Sequence, residues 1–436
     1  MLENYIAVIQ AGGKGTRLKE LTKDKIPKPL LKINGKPMIE WQIENVIKYG
    51  IRELVLIVGH LGEKIKDYFQ DGAKWGVRLT YIEESEPLGS AGALYYLKGK
   101  FPGNHFILIY GDVMFDMDLE RMARFHEQHN ADATLAVHPN THPYDSDLVI
   151  MNEKYQITGI DEKTNERQYW YRNIVNAGIY VLSTELLAQM SKLRQLDLEK
   201  DMILPIMNKG KVYGYQTTEY IKDAGTPSRF NEVCQDQKRG LWEKKNHGQK
   251  QRSIFLDRDG TLNVYKGLLA DMDAFELEEN AAEAVYLINK SGYLAIVVTN
   301  QPVVARGMCE ISDVEHIHEK MQTLLGRQGT YLDDIIYCPH HPDKGFPNEN
   351  AKYKIPCICR KPNIGMITQM AEKHNIDLAE SYMIGDSTVD IQTGINAGLK
   401  TALVHTGEAG QDGKYNVTAD VEGKNLLEVV KMIIRT

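Results

Sequence analysis

Phe255-Leu256-Asp257-Arg258-Asp259-Gly260-Thr261-Leu262 divides this 436-residue chain into two machines. Ser253 to Leu256 is a short apolar run that reads as a buried parallel strand. Two carboxylates two residues apart follow, then a Gly and a Thr that break the strand. The loop at the carboxyl end of a parallel strand is where open α/β sheets bind ligands. Two acids at i and i+2 can both face a phosphate there. One can attack phosphorus while the other manages the leaving-group proton, provided a metal quenches their repulsion. An Asx-rich turn is the other reading of a bare D-x-D-G-T.

The rest of the C-terminal half favours the phosphate reading. Helix Asn280 to Ser291 and strand Leu294 to Val298 lead into Thr299-Asn300-Gln301, a hydroxyl and amides suited to phosphoryl oxygens. Helix Ile311 to Gln328 and strand Asp334 to Tyr337 precede Cys338-Pro339-His340, and Cys357-Ile358-Cys359 follows sixteen residues after His340. Three thiolates and one imidazole make a closed tetrahedral set suited to structural Zn²⁺, with His341 as the competing imidazole. Arg360-Lys361-Pro362 comes at once, placing two cations over the phosphate. Strand Tyr382 to Ile384 ends in Gly385-Asp386-Ser387, where Asp386 is the expected metal carboxylate and Asp390 its support at the following helix start.

Composition bounds the rest. The chain has 42% apolar and 25% charged residues, as in a soluble globular protein long enough for two domains. A net charge of -7 argues against a nucleic-acid binder. No apolar run approaches a membrane span, and Met1 to Tyr5 lacks a signal-peptide pattern, so no membrane partner and a cytoplasmic location are expected. Five cysteines, three of them between 338 and 359, fit a metal rather than a disulfide framework.

In the N-terminal half, an apolar strand, Tyr5 to Ile9, enters Ala11-Gly12-Gly13-Lys14-Gly15-Thr16-Arg17-Leu18, followed by Pro27-Lys28-Pro29-Leu30. A Gly-rich loop after a first strand lets N–H groups approach phosphates, and Arg17 and Lys28 add positive charge. The spacing is neither a Walker loop nor G-x-G-x-x-G. Lys36 to Tyr49 is an amphipathic helix, Glu53 to Val58 a strand, Phe106 to Tyr110 a strand ending in Gly111-Asp112, Leu119 to His129 a helix and Ala133 to Val137 a strand. Asp236 to Arg252 is polar, broken by Leu241 and Trp242, and reads as a helix tail and linker whose two apolar residues pack on a domain.

The G-G-x-G-T-R-L and P-K-P-L pair resembles the signature of the sugar-1-phosphate nucleotidyltransferases. The resemblance implies that Ala11, Gly12, Gly13, Gly15, Thr16, Gly89, Ser90 and Gly111 bind nucleotide, Leu88 to Ala93 being the loop that reads the base. It gives Arg17 and Lys28 the catalytic charge, Asp112 and Asp223 of Asp223-Ala224-Gly225-Thr226-Pro227 the Mg²⁺, and Glu162, Lys163, Asn176 and Gly178 the sugar and its phosphate. Thr164 replaces the Pro that often follows Glu-Lys in this family. A sugar-1-phosphate oxygen is then expected to attack the α-phosphorus of a nucleoside triphosphate, with no covalent intermediate.

In the C-terminal half, Asp257/Asp259, Thr299, Lys361 and Asp386 stand in the order used by the haloacid dehalogenase superfamily. The zinc loop and Ala305-Arg306-Gly307 make it similar to the heptose-1,7-bisphosphate 7-phosphatases, with the histidinol-phosphate phosphatases, which share that loop, as the rival. By this resemblance Asp257 is the nucleophile and Asp259 the acid/base. Mg²⁺ is held by Asp257, Asp386 and a backbone carbonyl, with Asp259 in the same site. Thr299, Asn300, Gln301, Arg306, Arg360 and Lys361 contact substrate, and Cys338, His340, Cys357 and Cys359 hold Zn²⁺. Pro302-Val303-Val304 departs from the expected Ser-Gly-Ile, and Ser387 stands where Lys is frequent.

Two Rossmann-like α/β domains with mostly parallel sheets are therefore expected, 1–236 and 252–436, joined by a linker over 237–251. Together the two resemblances imply dephosphorylation of heptose 1,7-bisphosphate at position 7 and then guanylyl transfer from GTP to heptose 1-phosphate. A mannose-1-phosphate or other hexose-1-phosphate nucleotidyltransferase using GTP, CTP, UTP or dTTP is the alternative, as is a sugar-nucleotide sensor that regulates the phosphatase.

Overall fold

The computed structural model describes residues 2–101 and 103–435. The chain forms two compact units. The first comprises Met1–His138, Asp147–Glu162 and Val175–Gly248, and the second Pro139–Ser146, Lys163–Ile174 and Gln249–Thr436.

The first unit is built on a nine-stranded sheet whose middle is parallel: Arg78–Glu83, Glu53–Val58, Ile6–Gln10 and His105–Tyr110 lie side by side. The inner three are apolar almost throughout, as strands covered on both faces must be, whereas Arg78–Glu83, at the edge, mixes Arg78, Thr80 and Glu83 with apolar residues. Val175–Ser183 then pairs antiparallel to His105–Tyr110. Met38–Lys48 buries Met38, Ile39, Ile43 and Val46, the face its 3.6-residue period predicts. A short antiparallel ribbon pairs Val113–Asp116 with Tyr220–Asp223, with Asp223 opposite Val113. That pairing brings Asp112 and Asp223 together from positions far apart in sequence.

The polar segment after residue 236 does not dangle. Leu241 and Trp242 are buried in the first unit, where the Trp242 ring meets Trp41 edge-on at 5.2 Å and stacks on Tyr220 at 5.3 Å. Lys245, Asn246 and His247 are buried as well.

The second unit carries a six-stranded all-parallel sheet. At its centre Arg252–Leu256 lies between Tyr293–Asn300 and Tyr382–Gly385, with Leu256 level with Val297 on one side and Ile384 on the other. The three chain ends therefore emerge at one edge, carrying Asp257, Thr299 and Asp386. The two short segments from the first half of the sequence pack within this unit. The Tyr171 N–H donates to Thr323 Oγ1 at 2.9 Å and the Asn173 N–H to Gln322 Oε1 at 3.1 Å.

Candidate functional sites

The phosphate-loop site of the second unit is a knot of opposed charge. Lys361 Nζ lies 2.9 Å from Asp257 and 2.5 Å from Asp390, and its side chain is almost fully buried. Asp257, Asp386 and Asp390 present carboxylate oxygens within 4.8 Å of one another. One lysine cannot balance three acids. Burial, then the charge of Asp257 and Asp390, pushes Asp386 up to about 8; burial and Asp390 push Asp257 up to about 6. Divalent-cation binding would relieve this strain, so the donor set fits Mg²⁺. Asp390 already has partners of its own: it caps its helix by accepting the Ser387 N–H at 3.2 Å, takes the Ser387 hydroxyl at 2.6 Å, and holds Lys361. A Cβ on Gly260 or Gly407 would run into the Asp386 carboxylate, which explains two glycines with positive φ beside it.

Asp259 is not part of that cluster. Both of its oxygens are taken by the buried guanidinium of Arg258, at 2.9 and 3.0 Å, by Gln301 Nε2 at 2.9 Å and by Asn263 Nδ2 at 3.1 Å. The expectation that its carboxylate shares the metal site is thus not what this arrangement shows; four donors hold it elsewhere. Gln301 also donates to Thr299 Oγ1 at 2.9 Å. Asn300 brackets the Lys361 peptide, accepting its N–H at 3.0 Å and donating to its carbonyl at 3.2 Å. The two residues read as phosphate contacts therefore fix Asp259 and Lys361.

Cys338, His340, Cys357 and Cys359 converge with donor atoms 3.2 to 3.6 Å apart, a cluster that could hold zinc. His341, the competing imidazole, is placed otherwise: its Nδ1 accepts from the Asp343 N–H at 3.2 Å and its Nε2 lies 3.5 Å from Arg306. Arg360 donates to the His340 carbonyl at 3.2 Å. Burial and the charges of Arg360, Arg306 and Lys354 all lower the His341 pKa, so three cations crowd one place. Lys354 was not anticipated from sequence. Its side chain is 3% exposed and its ammonium pairs with Glu349 at 3.5 Å. Asp343 also lies beside these cations, 3.8 Å from His341.

In the first unit a cavity of 490 Å³ opens at the carboxyl end of the parallel strands. Ala11, Gly12, Gly13, Lys28, Gly89, Ser90, Gly111 and Asp112, all named from the sequence, line it; Gln10, Lys14, Glu84 and Tyr110 also do, and nothing in the sequence singled them out. Glycine is required at Gly89, against backbone, while Gly12 lies close to the end of the Glu84 side chain. A Cβ on Gly12 would meet Glu84 Oε2 at 2.5 Å, and one on Gly89, at φ +76°, would strike the Leu196 carbonyl. Lys28 Nζ pairs with Asp112 at 2.5 Å. Asp223 pairs with Arg229 at 2.6 Å and accepts the Gly225 N–H at 2.6 Å. The two acids lie on neighbouring backbone, the Ala224 N–H donating to the Asp112 carbonyl at 2.9 Å. Gly15, Thr16 and Arg17 do not line the cavity. Arg17 is exposed with its guanidinium beside Gly225, and Gly15, at φ +61°, lies against Lys28.

Of the sugar residues expected, Asn176 accepts the Gly178 N–H at 3.2 Å, and Glu162 pairs with Lys200 at 2.7 Å. Lys163 is exposed and opens the segment that belongs to the second unit.

Two catalytic centres, one a glycine-walled cavity on a Rossmann-like sheet and one an aspartate-lysine knot on another, define a nucleotidyl transferase joined to a hydrolase of the haloacid dehalogenase type. The chain belongs to the nucleotidyl transferase family, whose profile matches residues 6–240, and the HAD-hydrolase-like profile matches residues 358–428. Its C-terminal part belongs with the D-glycero-beta-D-manno-heptose-1,7-bisphosphate 7-phosphatase of Haemophilus ducreyi, 39% identical over 175 residues, 40% of this chain and 90% of the relative. Among solved structures, HddC from Yersinia pseudotuberculosis complexed with GMP-PN is 25% identical with a TM-score of 0.46, covering 53% of this chain and 99% of that one. The D,D-heptose 1,7-bisphosphate phosphatase of B. bronchiseptica complexed with magnesium and phosphate is 29% identical with a TM-score of 0.38, covering 42% and 99%. Among the described residues no helix is long and apolar enough to cross a membrane.

Proposed function

We propose that the second unit removes the 7-phosphate of D-glycero-D-manno-heptose 1,7-bisphosphate and that the first transfers GMP from GTP onto the 1-phosphate that remains, releasing pyrophosphate. The observation that carries this reading is 39% identity across 90% of a heptose-bisphosphate 7-phosphatase, in a chain that also belongs to the nucleotidyl transferases. A phosphatase that leaves a sugar 1-phosphate yields the substrate class that a sugar-1-phosphate nucleotidyltransferase consumes. The bacterial pathway that pairs these activities makes GDP-D-glycero-α-D-manno-heptose, hence GTP and the α-anomer; the H. ducreyi relative is named for the β-anomer. The cations Arg306, Lys354 and Arg360 support a substrate with a second phosphate.

In the phosphatase, Asp257 attacks phosphorus while Lys361 and Thr299 hold the equatorial oxygens. Asp259 must leave the grip of Arg258 and Gln301 to protonate the departing alcohol, and afterwards it takes a proton from the attacking water. Asp257, Asp386 and a backbone carbonyl would hold Mg²⁺, which supplies neutralising charge to the phosphoryl group. Zinc on Cys338, His340, Cys357 and Cys359 would fix the loop that carries Arg360 and Lys361. In the transferase, Asp112 and Asp223 would hold Mg²⁺ once a triphosphate shares it, since two carboxylates bind it weakly alone. Arg17 and Lys28 offset charge on the triphosphate, and the glycine loops let backbone N–H groups reach it.

The test supplies bisphosphate of either anomer, GTP and Mg²⁺, and follows phosphate, pyrophosphate and GDP-heptose. Asp257→Asn is expected to stop GDP-heptose formation from the bisphosphate and spare it from the 1-phosphate. Asp112→Asn is expected to leave phosphate release intact and end pyrophosphate release. GDP-heptose made from the bisphosphate by Asp257→Asn at the normal rate would overturn the sequential reading.

A further inference from the structure

Leu196 to Lys200 lies in a stretch with no motif, yet it touches both halves of the transferase site. Its backbone is docked on the loop assigned to the base. The Leu196 N–H donates to the Leu88 carbonyl at 3.0 Å, the Ala91 N–H returns a bond to the Leu196 carbonyl at 3.0 Å, and the Leu198 N–H donates to Ser90 Oγ at 2.7 Å. Two of its three charged side chains hold the residues assigned to the sugar, while Asp197 accepts the Lys200 N–H at 3.0 Å. Glu199 accepts from Asn176 Nδ2 at 2.9 Å, from the Tyr110 hydroxyl at 3.0 Å and from the Tyr180 hydroxyl. Lys200 Nζ pairs with Glu162 at 2.7 Å.

The hydrogen-bond inventory of Asn176 shows what this achieves. Both amide hydrogens are spent, on Glu199 and on the Tyr180 hydroxyl at 2.8 Å, and Oδ1 accepts the Gly178 N–H at 3.2 Å. The amide is locked in one orientation, with a single Oδ1 lone pair left for a ligand hydroxyl. Leu198–Ile203 is a π-helix, the irregular turn that most often occurs at functional sites. The wider turn places two successive side chains, Glu199 and Lys200, on two separate partners, Asn176 and Glu162.

We propose that Glu199 and Lys200 are positioning residues of the nucleotidyl transfer, and that they set affinity for the sugar 1-phosphate by fixing Asn176 and Glu162. This rests on the reading of the first unit as a sugar-1-phosphate nucleotidyltransferase. Neither residue transfers a proton or touches phosphorus. A residue that acts through the sugar contacts should change KM for the sugar phosphate and not for the nucleotide. A residue that merely supports the fold should change both, because the same stretch carries the base loop.

The full-length protein is first run with GTP against a panel of sugar 1-phosphates, heptose 1-phosphate included, which tests the underlying reading. KM values for both substrates are then measured on whichever sugar is turned over fastest, for Glu199→Ala, Glu199→Gln, Tyr180→Phe and Lys200→Met. The expected result is a rise of about tenfold in sugar-phosphate KM for Glu199→Ala and a smaller rise for Lys200→Met, with GTP KM within about twofold of the parent. Glu199→Gln, which keeps an acceptor, should recover part of the loss. Lys200 is exposed, so its variant keeps the question open to measurement if Glu199→Ala fails to fold. Equal rises in both KM values, or an unchanged sugar-phosphate KM in Lys200→Met and Glu199→Gln alike, overturn the proposal. Turnover of a hexose 1-phosphate but not heptose 1-phosphate would overturn the heptose reading alone, and turnover of no sugar 1-phosphate would overturn both.

Discussion

The two sites solve the same electrostatic problem in opposite ways. In the phosphatase site the charges are buried and in contact: Lys361 is wedged between Asp257 and Asp390, and three carboxylates compete for one cation. In the transferase site the acids are more open, Asp112 at 28% and Asp223 at 30% exposed against 14% for Asp257, and each already has its own cation, Lys28 for Asp112 on the wall of an open cavity and Arg229 for Asp223. A covalent mechanism needs one oxygen aimed at phosphorus in a dry place. A transfer between two bound substrates needs a large cradle and distributed charge. The burial of the charges thus follows the chemistry, on two sheets of the same general type.

The largest effect should come from the buried side. If Asp257 is the nucleophile proposed above, Asp257→Asn replaces the attacking oxygen, and phosphatase kcat is expected to fall by about 10⁴-fold or more. Lys28→Met removes one of several charges that act together, and a fall of about 10² to 10³ in nucleotidyl transfer is expected, measured as pyrophosphate release. A loss with Lys28→Met as deep as that with Asp257→Asn would break the contrast between a single nucleophile and shared positioning.

A third substitution probes support rather than chemistry. Cys357→Ser should abolish zinc retention, measured by elemental analysis of protein purified without chelator. It should also lower the melting temperature of the second unit, by roughly 2 to 4 °C for each kcal/mol lost. Phosphatase activity should fall with it, because the loop presents Arg360 and Lys361, while nucleotidyl transfer should persist.

What the sequence made legible follows the same division. Residues that act from the end of a buried strand announce themselves, because an apolar run stopping at Asp or Gly is a local pattern: Asp257, Asp386, Gly111 and Asp112 all stand at such ends. The cysteine spacing gave the metal cluster, and only the fold could choose His340 over His341. Glu199, Lys200 and Lys354 were illegible for a different reason. Each sits in irregular chain, with no periodicity to assign a face, and the partners of the first two are distant in sequence: Glu199 meets Tyr110 and Asn176, and Lys200 meets Glu162. The same limit applies to Lys163–Ile174, whose Tyr171 and Asn173 meet Thr323 and Gln322 some 150 positions away, and to Pro139–Ser146, whose Pro143 lies against Gly326.

The smallest effect on activity, none, is expected at Glu219, which tests whether a displaced pKa alone marks a site. Like Asp386 it is a buried acid, and burial pushes it up to about 7. Unlike Asp386 it belongs to no group of three donor residues at metal-binding distance among the described residues. It accepts N–H bonds from Asp118 at 2.7 Å and His247 at 2.9 Å and the Thr217 hydroxyl at 2.9 Å, with the His247 ring 3.7 Å away. It therefore fastens residue 247 to the first unit. The sign of its pH dependence follows from the direction of the shift. The folded state keeps the proton up to about 7, whereas the unfolded chain releases it near the ordinary value of 4.5. Its contribution to stability is full below that ordinary value and is lost as pH rises through about 7, amounting to about 3 kcal/mol at roughly 1.4 kcal/mol per unit. Glu219→Gln keeps the acceptor for both N–H groups and cannot ionise. Between pH 5 and pH 8 the melting temperature of the first unit should fall less in Glu219→Gln than in the parent, with nucleotidyl transfer at pH 7.5 unchanged. If Glu219→Gln lost transfer activity while folded, the line drawn here between a titrating structural acid and a catalytic one would fail.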